Sequence, residues 1–459
     1  MRQPLFVLGL DCFDPGLAFD RWLGELPNLQ QLTQQGISGR LTSTIPPITV
    51  PAWTCMLTGK DPGELGIYGF RNRANYSYGQ MTIATGEQVT YPRVWDHVSG
   101  AGGTSIVVGV PQTYPIRPLN GVMVGCFLTP STASPYTYPP EFRQEIDRVV
   151  GEYLLDVPNF RTEDKVRLLR DVYRMSRVQF DLVRHLLRTR RGWDLFMYVN
   201  IGPDRIHHGF WKYTDPRHPR YRPGNPFENA IRRYYQFIDE QIGELVGLLP
   251  TDAALIVMSD HGAQAMEGGI CINDWLIAQG YLTLADKPAG VVPLERCEID
   301  WSKTRAWGAG GYYGRLSLNV AGREPNGIVP PDQVEALKAE IGARLEGIAD
   351  PAGREIGTRV YRPEETYAQV RNIPPDLIVY FGNLAWRSVG SVGNPSIHVF
   401  ENDTGPDDAN HAQHGMYVLR RPGDSPGKRA DHFWHAIAPT MLDILGIDPP
   451  PGMSTERLA

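Results

Sequence analysis

The sequence predicts an α/β fold in which a mainly parallel sheet is covered by helices on both faces. Short apolar, β-branched runs alternate with longer amphipathic segments along the 459 residues. Parallel strands need such helical connections, so this alternation is typical of a parallel sheet. Acidic residues also follow several apolar runs directly, which is expected where ligands bind beyond the carboxyl ends of parallel strands.

Local patterns locate the individual elements of this fold. The predicted strands are Leu5 to Leu10, Ser105 to Val110, Asp194 to Val199, Ala254 to Met258, and Asp376 to Phe381. The predicted helices are Pro27 to Gln35, Thr162 to Arg188, Pro226 to Leu249, Pro331 to Leu345, and Trp434 to Leu445. The Pro-rich and polar stretch 382–408 is interpreted as a long loop, because apolar segments resume on both sides of it.

One segment interrupts the alternation of strands and helices. Residues 276–371 contain Pro and Gly clusters and an aromatic-rich stretch, but no clear strand followed by a helix. We therefore expect one catalytic domain over residues 1–459, with 276–371 as an insert or cap that lies over the site.

Composition limits the partners and the location of the protein. The net charge of -6 predicts no general attraction to duplex nucleic acid or to an anionic membrane. No apolar stretch approaches the roughly 20 residues of a membrane span, and the first apolar run is too short for a signal peptide. The five cysteines are scattered and form no C-x-x-C pair. We expect a cytoplasmic location; the oligomeric state stays open.

Three acidic residues lie at or just after predicted strand ends. Asp11 ends the first strand, Asp204 follows the third closely, and Asp260 directly precedes His261 after the fourth. His208 lies four residues after Asp204, on the same face if that segment is helical. Any one of these aspartates would ordinarily be a turn or capping residue, but three together favour a metal site.

A hydroxyl is predicted beside these groups. Pro51 is favoured in the first turn of a helix, which places Thr49 near the helix N-terminus. Backbone N–H groups and the helix dipole favour a negative oxygen there, so this hydroxyl is a candidate nucleophile. The alternative is that Thr49 only caps the helix.

These motifs, taken in order, resemble a known superfamily. The motifs are Asp11, the run Thr49 to Ile67, the pair Asp204 and His208, Ser259 to Gly262, and Asn410 to Val418. Their order resembles that of the alkaline phosphatase superfamily, and Thr49 to Ile67 is similar to its type I phosphodiesterase and nucleotide pyrophosphatase branch. The stretches 204–211, 273–282 and 322–329 resemble a group of predicted phosphohydrolases and phosphomutases within that superfamily.

The resemblance implies a three-layer alkaline-phosphatase-like core and a centre with two divalent ions, Zn²⁺ or Mn²⁺. One ion would be held by Asp11, Asp260, His261 and the Thr49 oxygen. The other would be held by Asp204, His208 and a late histidine. The spacing to the following strand favours His411 over His414 for that last position, and Asp407 or Asp408 is expected to orient His411.

The resemblance does not identify a single residue that recognises the substrate phosphate. The diesterase branch often places an Asn where Phe70 stands in this chain. The candidates for that role are therefore Arg71, Asn72, Arg73 and Arg205. His207 is interpreted as a supporting or surface histidine and Asp14 as a turn residue. Trp53 stands where sulfatases carry an Arg, so sulfate-ester hydrolysis is not expected as the main activity.

The implied activity is hydrolysis of a small phosphate ester, either a monoester or a diester, through a phospho-threonine at Thr49. Two divalent ions would outweigh three carboxylates by about one positive charge and attract phosphate locally. The alternatives are a phosphomutase or phosphoryl transferase that uses the same site, and a non-catalytic metal-binding member of the fold.

Overall fold

A computed structural model describes residues 2–424 and 427–459, and its centre is a large mixed sheet. From one edge, its strands are Lys428–Arg429, Ile37–Thr42, His414–Arg420, Ala254–Met258, Leu5–Leu10, Leu195–Asn200, Ser105–Val108, Gly121–Val124 and Thr137–Tyr138. His432–Phe433 also pairs with Ile37–Thr42. The strands from Ala254–Met258 to Gly121–Val124 are parallel to one another, so the mainly parallel sheet is confirmed.

Helices cover both faces of this sheet because successive strand residues point to opposite sides. Phe6 and Leu8 pack into one cluster of buried residues, whereas Leu5 and Val7 pack into another. Helices that contribute to the first cluster are Pro27–Gln35, Phe142–Val150, Lys165–Thr189, Gly202–Thr214 and Ala230–Val246. Those of the second are Thr49–Thr58, Val94–Gly100 and Ile437–Ile444. The result is a three-layer α/β core.

A third cluster of buried residues lies outside these layers. It runs from Ile270 to Val392 in the sequence. It includes the helices Ile272–Ala278 and Val334–Glu346 and an antiparallel sheet in the order Ala306–Ala309, Gly314–Leu318, Leu377–Tyr380 and Arg359–Tyr361. This cluster extends beyond residues 276–371 at both ends, and the division into a core and an insert stays a prediction.

The remaining α-helices and strands of the described residues are short. They are the helices Pro62–Leu65 and Pro363–Thr366, the hairpin Arg71–Arg73 with Met81–Ile83, and the pairs Gly262–Ala265 with Ala409–Ala412 and Val292–Pro293 with Ser391–Val392. Gly268–Cys271 lies between Trp386–Val389 and His398–Val399. Among residues 2–424 and 427–459, each helix is too short or too polar to cross a membrane.

Two predictions about elements were wrong. The apolar run from Asp376 forms the strand Leu377–Tyr380, but this strand belongs to the antiparallel sheet outside the core. A buried run of four apolar residues has the same pattern in either sheet, so its composition could not distinguish them. Residues 382–408 also contain three short strands rather than one long loop.

Candidate active site

The candidate site lies at the carboxyl ends of the central parallel strands. Asp11 follows Leu5–Leu10, and Asp260 and His261 follow Ala254–Met258. Asp204 lies in the first turn of Gly202–Thr214, the helix that begins just after Leu195–Asn200. Because these three strands are neighbours in the sheet, their ends bring the side chains together. Each of these side chains is almost completely buried.

Thr49 is the first residue of the helix Thr49–Thr58, and the backbone of Ile48 occupies the capping position. The Thr49 hydroxyl oxygen lies 3.3 Å from His261 Nε2 and 3.4 Å from Asp11 Oδ1. The same helix holds the second oxygen of Asp11, because Trp53 Nε1 donates to Asp11 Oδ2 over 2.8 Å. The alternative that Thr49 caps the helix is therefore wrong, and the hydroxyl faces the carboxylate and imidazole groups.

The second group of side chains surrounds Asp204. His208 lies one turn further along the helix, with Nε2 3.1 Å from Asp204 Oδ1. His411 Nε2 lies 3.3 Å from His208 Nε2 and 3.7 Å from Asp204 Oδ1. His414 is exposed, and its Nδ1 lies 3.3 Å from the Thr42 hydroxyl. The structure thus brings His411, but not His414, to the other predicted ligands.

Each of the three converging histidines is oriented through its Nδ1 atom. His208 Nδ1 donates to Asp407 Oδ1. His261 Nδ1 donates to the Gly262 carbonyl oxygen, and His411 Nδ1 donates to the Pro47 carbonyl oxygen. These contacts place a proton on Nδ1, so the Nε2 atom of each ring faces the site. Asp407 therefore orients His208, not His411 as expected. Moreover, His411 lies on the strand Ala409–Ala412, not in a loop.

The carboxylates of the site repel one another, and positive groups outweigh this repulsion only at Asp204. Burial raises the pKa of Asp11 well above its ordinary value, and repulsion by Asp204 adds to this effect. Burial also raises the pKa of Asp260 well above its ordinary value, with repulsion by Asp11 as the next cause. Burial alone would raise the pKa of Asp204 too, but His208 and Arg205 hold that pKa well below its ordinary value. The carboxylates therefore need positive charge beside them.

The histidines differ in charge. Burial lowers the pKa of His261 to about 4, and burial together with neighbouring histidines lowers the pKa of His411 well below its ordinary value. Burial also disfavours the charged form of His208, but Asp407 and Asp204 outweigh it and raise its pKa to about 10. His261 and His411 are thus neutral imidazoles, the form that binds metal.

These side chains fit divalent metal ions. The ligand atoms of Asp11, Asp260 and His261 lie within 4.8 Å of one another, and so do those of Asp204, His261 and His411. His261 thus belongs to both sets, and His208 adjoins the second, with Nε2 3.1 Å from Asp204 Oδ1. Asp260 Oδ2 is buried and accepts no hydrogen bond from the described residues. His261 Nε2 lies 3.2 Å from it, but the proton of that ring is on Nδ1. A buried carboxylate oxygen without a partner is costly, and facing Nε2 lone pairs repel each other. A cation at the centre would relieve both effects.

Candidate phosphate-binding residues lie around a cavity of about 420 Å³ that opens onto Thr49, Asp204, His208 and His411. Arg71 and Arg205 line this cavity. The Asn72 side chain instead bonds the backbone of Tyr68 and Gly69. Arg73 pairs with Glu324 over 3.1 Å and lines a neighbouring cavity. Only Arg71 and Arg205 of the four predicted candidates therefore line this cavity.

Two other candidates have structural contacts around the site. His207 is buried, with Nε2 3.0 Å from the Tyr235 hydroxyl. Asp14 accepts from the backbone N–H of Leu17 over 2.9 Å, as expected of a turn residue. Neither side chain contacts the centre of the site.

Sequence reasoning missed Tyr312, which packs against two histidines of the site. The Tyr312 ring stacks on His411 at a centroid distance of 4.4 Å and on His208 at 4.9 Å. Its hydroxyl donates to Asp407 Oδ2 over 3.0 Å and accepts from Arg161 over 2.7 Å. Tyr312 thereby covers two histidines and links to the carboxylate that orients one of them. The aromatic-rich stretch 301–313 was visible in the sequence, but nothing there indicated which ring reaches the site.

The arrangement of the core agrees with solved structures. Human ectonucleotide pyrophosphatase/phosphodiesterase 5 superposes with a TM-score of 0.55 at 15% identity, covering 98% of this chain and 96% of that one. The murine protein superposes with a TM-score of 0.57 at 12% identity, and the match covers 98% of each chain. An inactive threonine-to-alanine variant of the murine protein in complex with AMP superposes with a TM-score of 0.56 at 12% identity. The match covers 98% of this chain and 97% of that one. These likenesses establish the fold.

The match to a family model, together with the fold, identifies a protein of the alkaline phosphatase superfamily. A family model for type I phosphodiesterase/nucleotide pyrophosphatase matches residues 5–416. The chain therefore belongs to the type I phosphodiesterase/nucleotide pyrophosphatase family, a family of phosphoester hydrolases. None of the curated proteins compared with this chain matches it.

Proposed function

We propose that this protein hydrolyses a small phosphate ester through a phospho-threonine at Thr49, with two divalent ions, Zn²⁺ or Mn²⁺, at the site. The observation that carries the proposal is the position of the Thr49 hydroxyl. It lies 3.3 Å from His261 Nε2 and 3.4 Å from Asp11 Oδ1, at the start of a helix and in the cavity that Asp204 and His208 also line.

The seven predicted ligands divide into two sets in this proposal. Asp11, Asp260, His261 and Thr49 would hold one ion, and Asp204, His208 and His411 would hold the other. Both ions would stabilise the oxygens that attack and leave phosphorus. Two observations support these assignments. Asp260 Oδ2 is buried and accepts no hydrogen bond from the described residues, and each of the three histidines is held through Nδ1.

The chemistry of the chain's own residues follows from this geometry. Thr49 Oγ1 gives its proton to solvent and forms a bond to phosphorus, while the bond from phosphorus to the alcohol oxygen breaks and that oxygen takes a proton. Water then forms a new bond to phosphorus, the bond to Thr49 breaks, and the hydroxyl recovers its proton. Backbone N–H groups at the helix start stabilise the negative oxygens.

The solved murine variant supports two parts of this proposal by analogy. That protein is inactive with a threonine replaced by alanine, and it binds AMP, a small phosphate ester. A threonine nucleophile and a small-molecule substrate are consistent with both facts.

Hydrolysis of p-nitrophenyl phosphate and bis-p-nitrophenyl phosphate, with Zn²⁺ or Mn²⁺ added, tests the function. Acid-quenched enzyme should contain a phosphorylated peptide that carries Thr49, and reaction in ¹⁸O-labelled water should place the label in the released phosphoryl group. Transfer of an unlabelled phosphoryl group to a second alcohol would instead indicate a phosphomutase or transferase. No turnover of either ester with either metal would contradict the proposal.

A further inference from the structure

The cavity at Thr49 is lined by arginines that differ in their partners. Arg161 pairs with Asp407 over 3.2 Å, Arg205 with Asp156 over 2.7 Å, and Arg387 with Asp403 over 3.2 Å. The charges of these three guanidinium groups are therefore largely compensated within the protein. Two more arginines line the same cavity, Arg71 and Arg315.

Arg71 and Arg315 form no ion pair with a carboxylate of residues 2–424 and 427–459. Arg315 donates from Nη1 to the Arg71 carbonyl oxygen over 2.8 Å and from Nη2 to the Gly310 carbonyl oxygen over 3.1 Å. These bonds hold Arg315 in place against the hairpin that carries Arg71, but they leave its charge uncompensated. Both arginines thus line the cavity, and neither has a carboxylate partner among the described residues.

The same two arginines also line a second cavity of about 320 Å³, so they stand where the two cavities adjoin. Tyr78, Trp301 and Trp307 form an aromatic wall there, with Tyr78 stacked on Trp301 at a centroid distance of 3.5 Å. Leu294, Ile299 and Pro375 add apolar surface. This second cavity suits an aromatic or apolar group, whereas its junction with the first suits an anion.

We propose that Arg71 and Arg315 form a subsite for a second anionic group of the substrate. The substrate class is then a phosphate ester whose alcohol portion carries another acidic group, a carboxylate or a phosphate, next to an aromatic or apolar portion. This inference rests on the proposed function, because the first cavity must hold the reacting phosphoryl group. Charge-assisted hydrogen bonds from guanidinium to such an anion are among the strongest that proteins form.

Hydrolysis of two matched diesters tests whether the enzyme prefers a substrate with a second anionic group. The probes are 4-carboxyphenyl 4-nitrophenyl phosphate and its neutral carboxamide counterpart, which have nearly the same shape and both release p-nitrophenol. We expect kcat/KM to be about tenfold higher for the charged probe. The corresponding 4-phosphonophenyl diester shows which anion is preferred, and a preference for either anion over the carboxamide supports the subsite.

Substitution of either arginine should remove most of the discrimination between the probes. Arg315→Gln and Arg71→Gln should each lower the ratio of kcat/KM for the charged and neutral probes several-fold, and Arg315→Lys should retain part of it. The control is Arg188→Gln, which removes an exposed arginine near the end of Lys165–Thr189 and should leave the ratio unchanged. Because Arg71 is exposed, its variant should fold even if the Arg315 variant does not.

Binding without turnover separates this inference from the proposed function. Calorimetric titration with 4-carboxybenzylphosphonate and its carboxamide should show about tenfold tighter binding of the acid, and this difference should be lost in Arg71→Gln. Equal binding of the two ligands by the wild type, or an equal preference in wild type and variants, would overturn the subsite. Absence of turnover with a retained binding preference would overturn only the proposed hydrolysis.

Discussion

Thr49 is the residue whose role can be tested most directly. Thr49→Ala should reduce turnover by a factor on the order of 10³ or more, because the nucleophile is lost and only electrostatic stabilisation remains. Thr54, in the same helix, bonds the Val50 carbonyl oxygen over 2.7 Å and is the matched control. Thr54→Ala should retain near-normal kcat. Equal activity of Thr49→Ala and wild type would remove Thr49 from the mechanism.

The two late histidines give a second prediction for single residues. His411→Ala should weaken binding of the ion assigned to Asp204 and His208 and cost most of the activity, because its Nε2 lies 3.7 Å from Asp204 Oδ1. His414→Ala should be mild, since that side chain is exposed. Metal content and kcat measured on both variants check the ranking. The reverse ranking would assign the ligand role to His414.

At the scale of residues, the sequence predicted the members of the site better than their contacts. Strand ends and a Pro-started helix indicated Asp11, Thr49, Asp204 and Asp260, and the structure brings all four together. The predicted partner of Asp407 was wrong, because the actual contact depends on how a strand that is distant in the sequence packs against the site. The role of Tyr312 was missed for the same reason. The roles of Asp11, Thr49, Asp204 and Asp260 in binding and catalysis stay predictions.

The helix Thr49–Thr58 and the strand Leu5–Leu10 act together, because Trp53 holds Asp11 through a bond of 2.8 Å. A Cβ atom at Gly9 would lie 2.4 Å from the Trp53 ring and 2.6 Å from the Val199 side chain. Gly9→Ala should therefore displace Trp53, destabilise the protein by about 1–3 kcal/mol and weaken metal binding through Asp11. Chemical denaturation and metal titration measure the two effects.

A suitable control for Gly9→Ala is Gly24→Ala, because a Cβ atom at Gly24 would meet no atom within 4 Å. This variant should bind metal as the wild type does. Unchanged metal affinity in Gly9→Ala would show that Asp11 does not depend on the packing of Trp53.

At the scale of elements, prediction succeeded where length and periodicity were distinctive. The helix Pro27–Gln35 and the strands Leu5–Leu10 and Ala254–Met258 have the predicted bounds. Prediction failed for Leu377–Tyr380, since the sheet to which a short buried strand belongs depends on distant partners. The strand at His411 is also too short for a period to be recognised in the sequence.

For the whole molecule, we expect bound metal to contribute to stability. The buried carboxylates Asp11, Asp204 and Asp260 repel one another in the folded state, and ions that bind only this state stabilise it by mass action. Treatment with a chelator should lower Tm by several degrees, and added Zn²⁺ or Mn²⁺ should restore it. The variant Asp260→Ala should show a smaller change. No effect of chelator on Tm or on metal content would contradict the metal site.

The strand His414–Arg420 has a consequence for how the chain is made on the ribosome. It inserts between two strands that are synthesised much earlier, and Tyr417 pairs with Gly39 on one side and with Met258 on the other. Until this late segment leaves the exit tunnel, both partners present unpaired edges to other chains. The sheet therefore cannot close until Arg420 has been synthesised, and a chaperone that shields strand edges would be most useful during that interval.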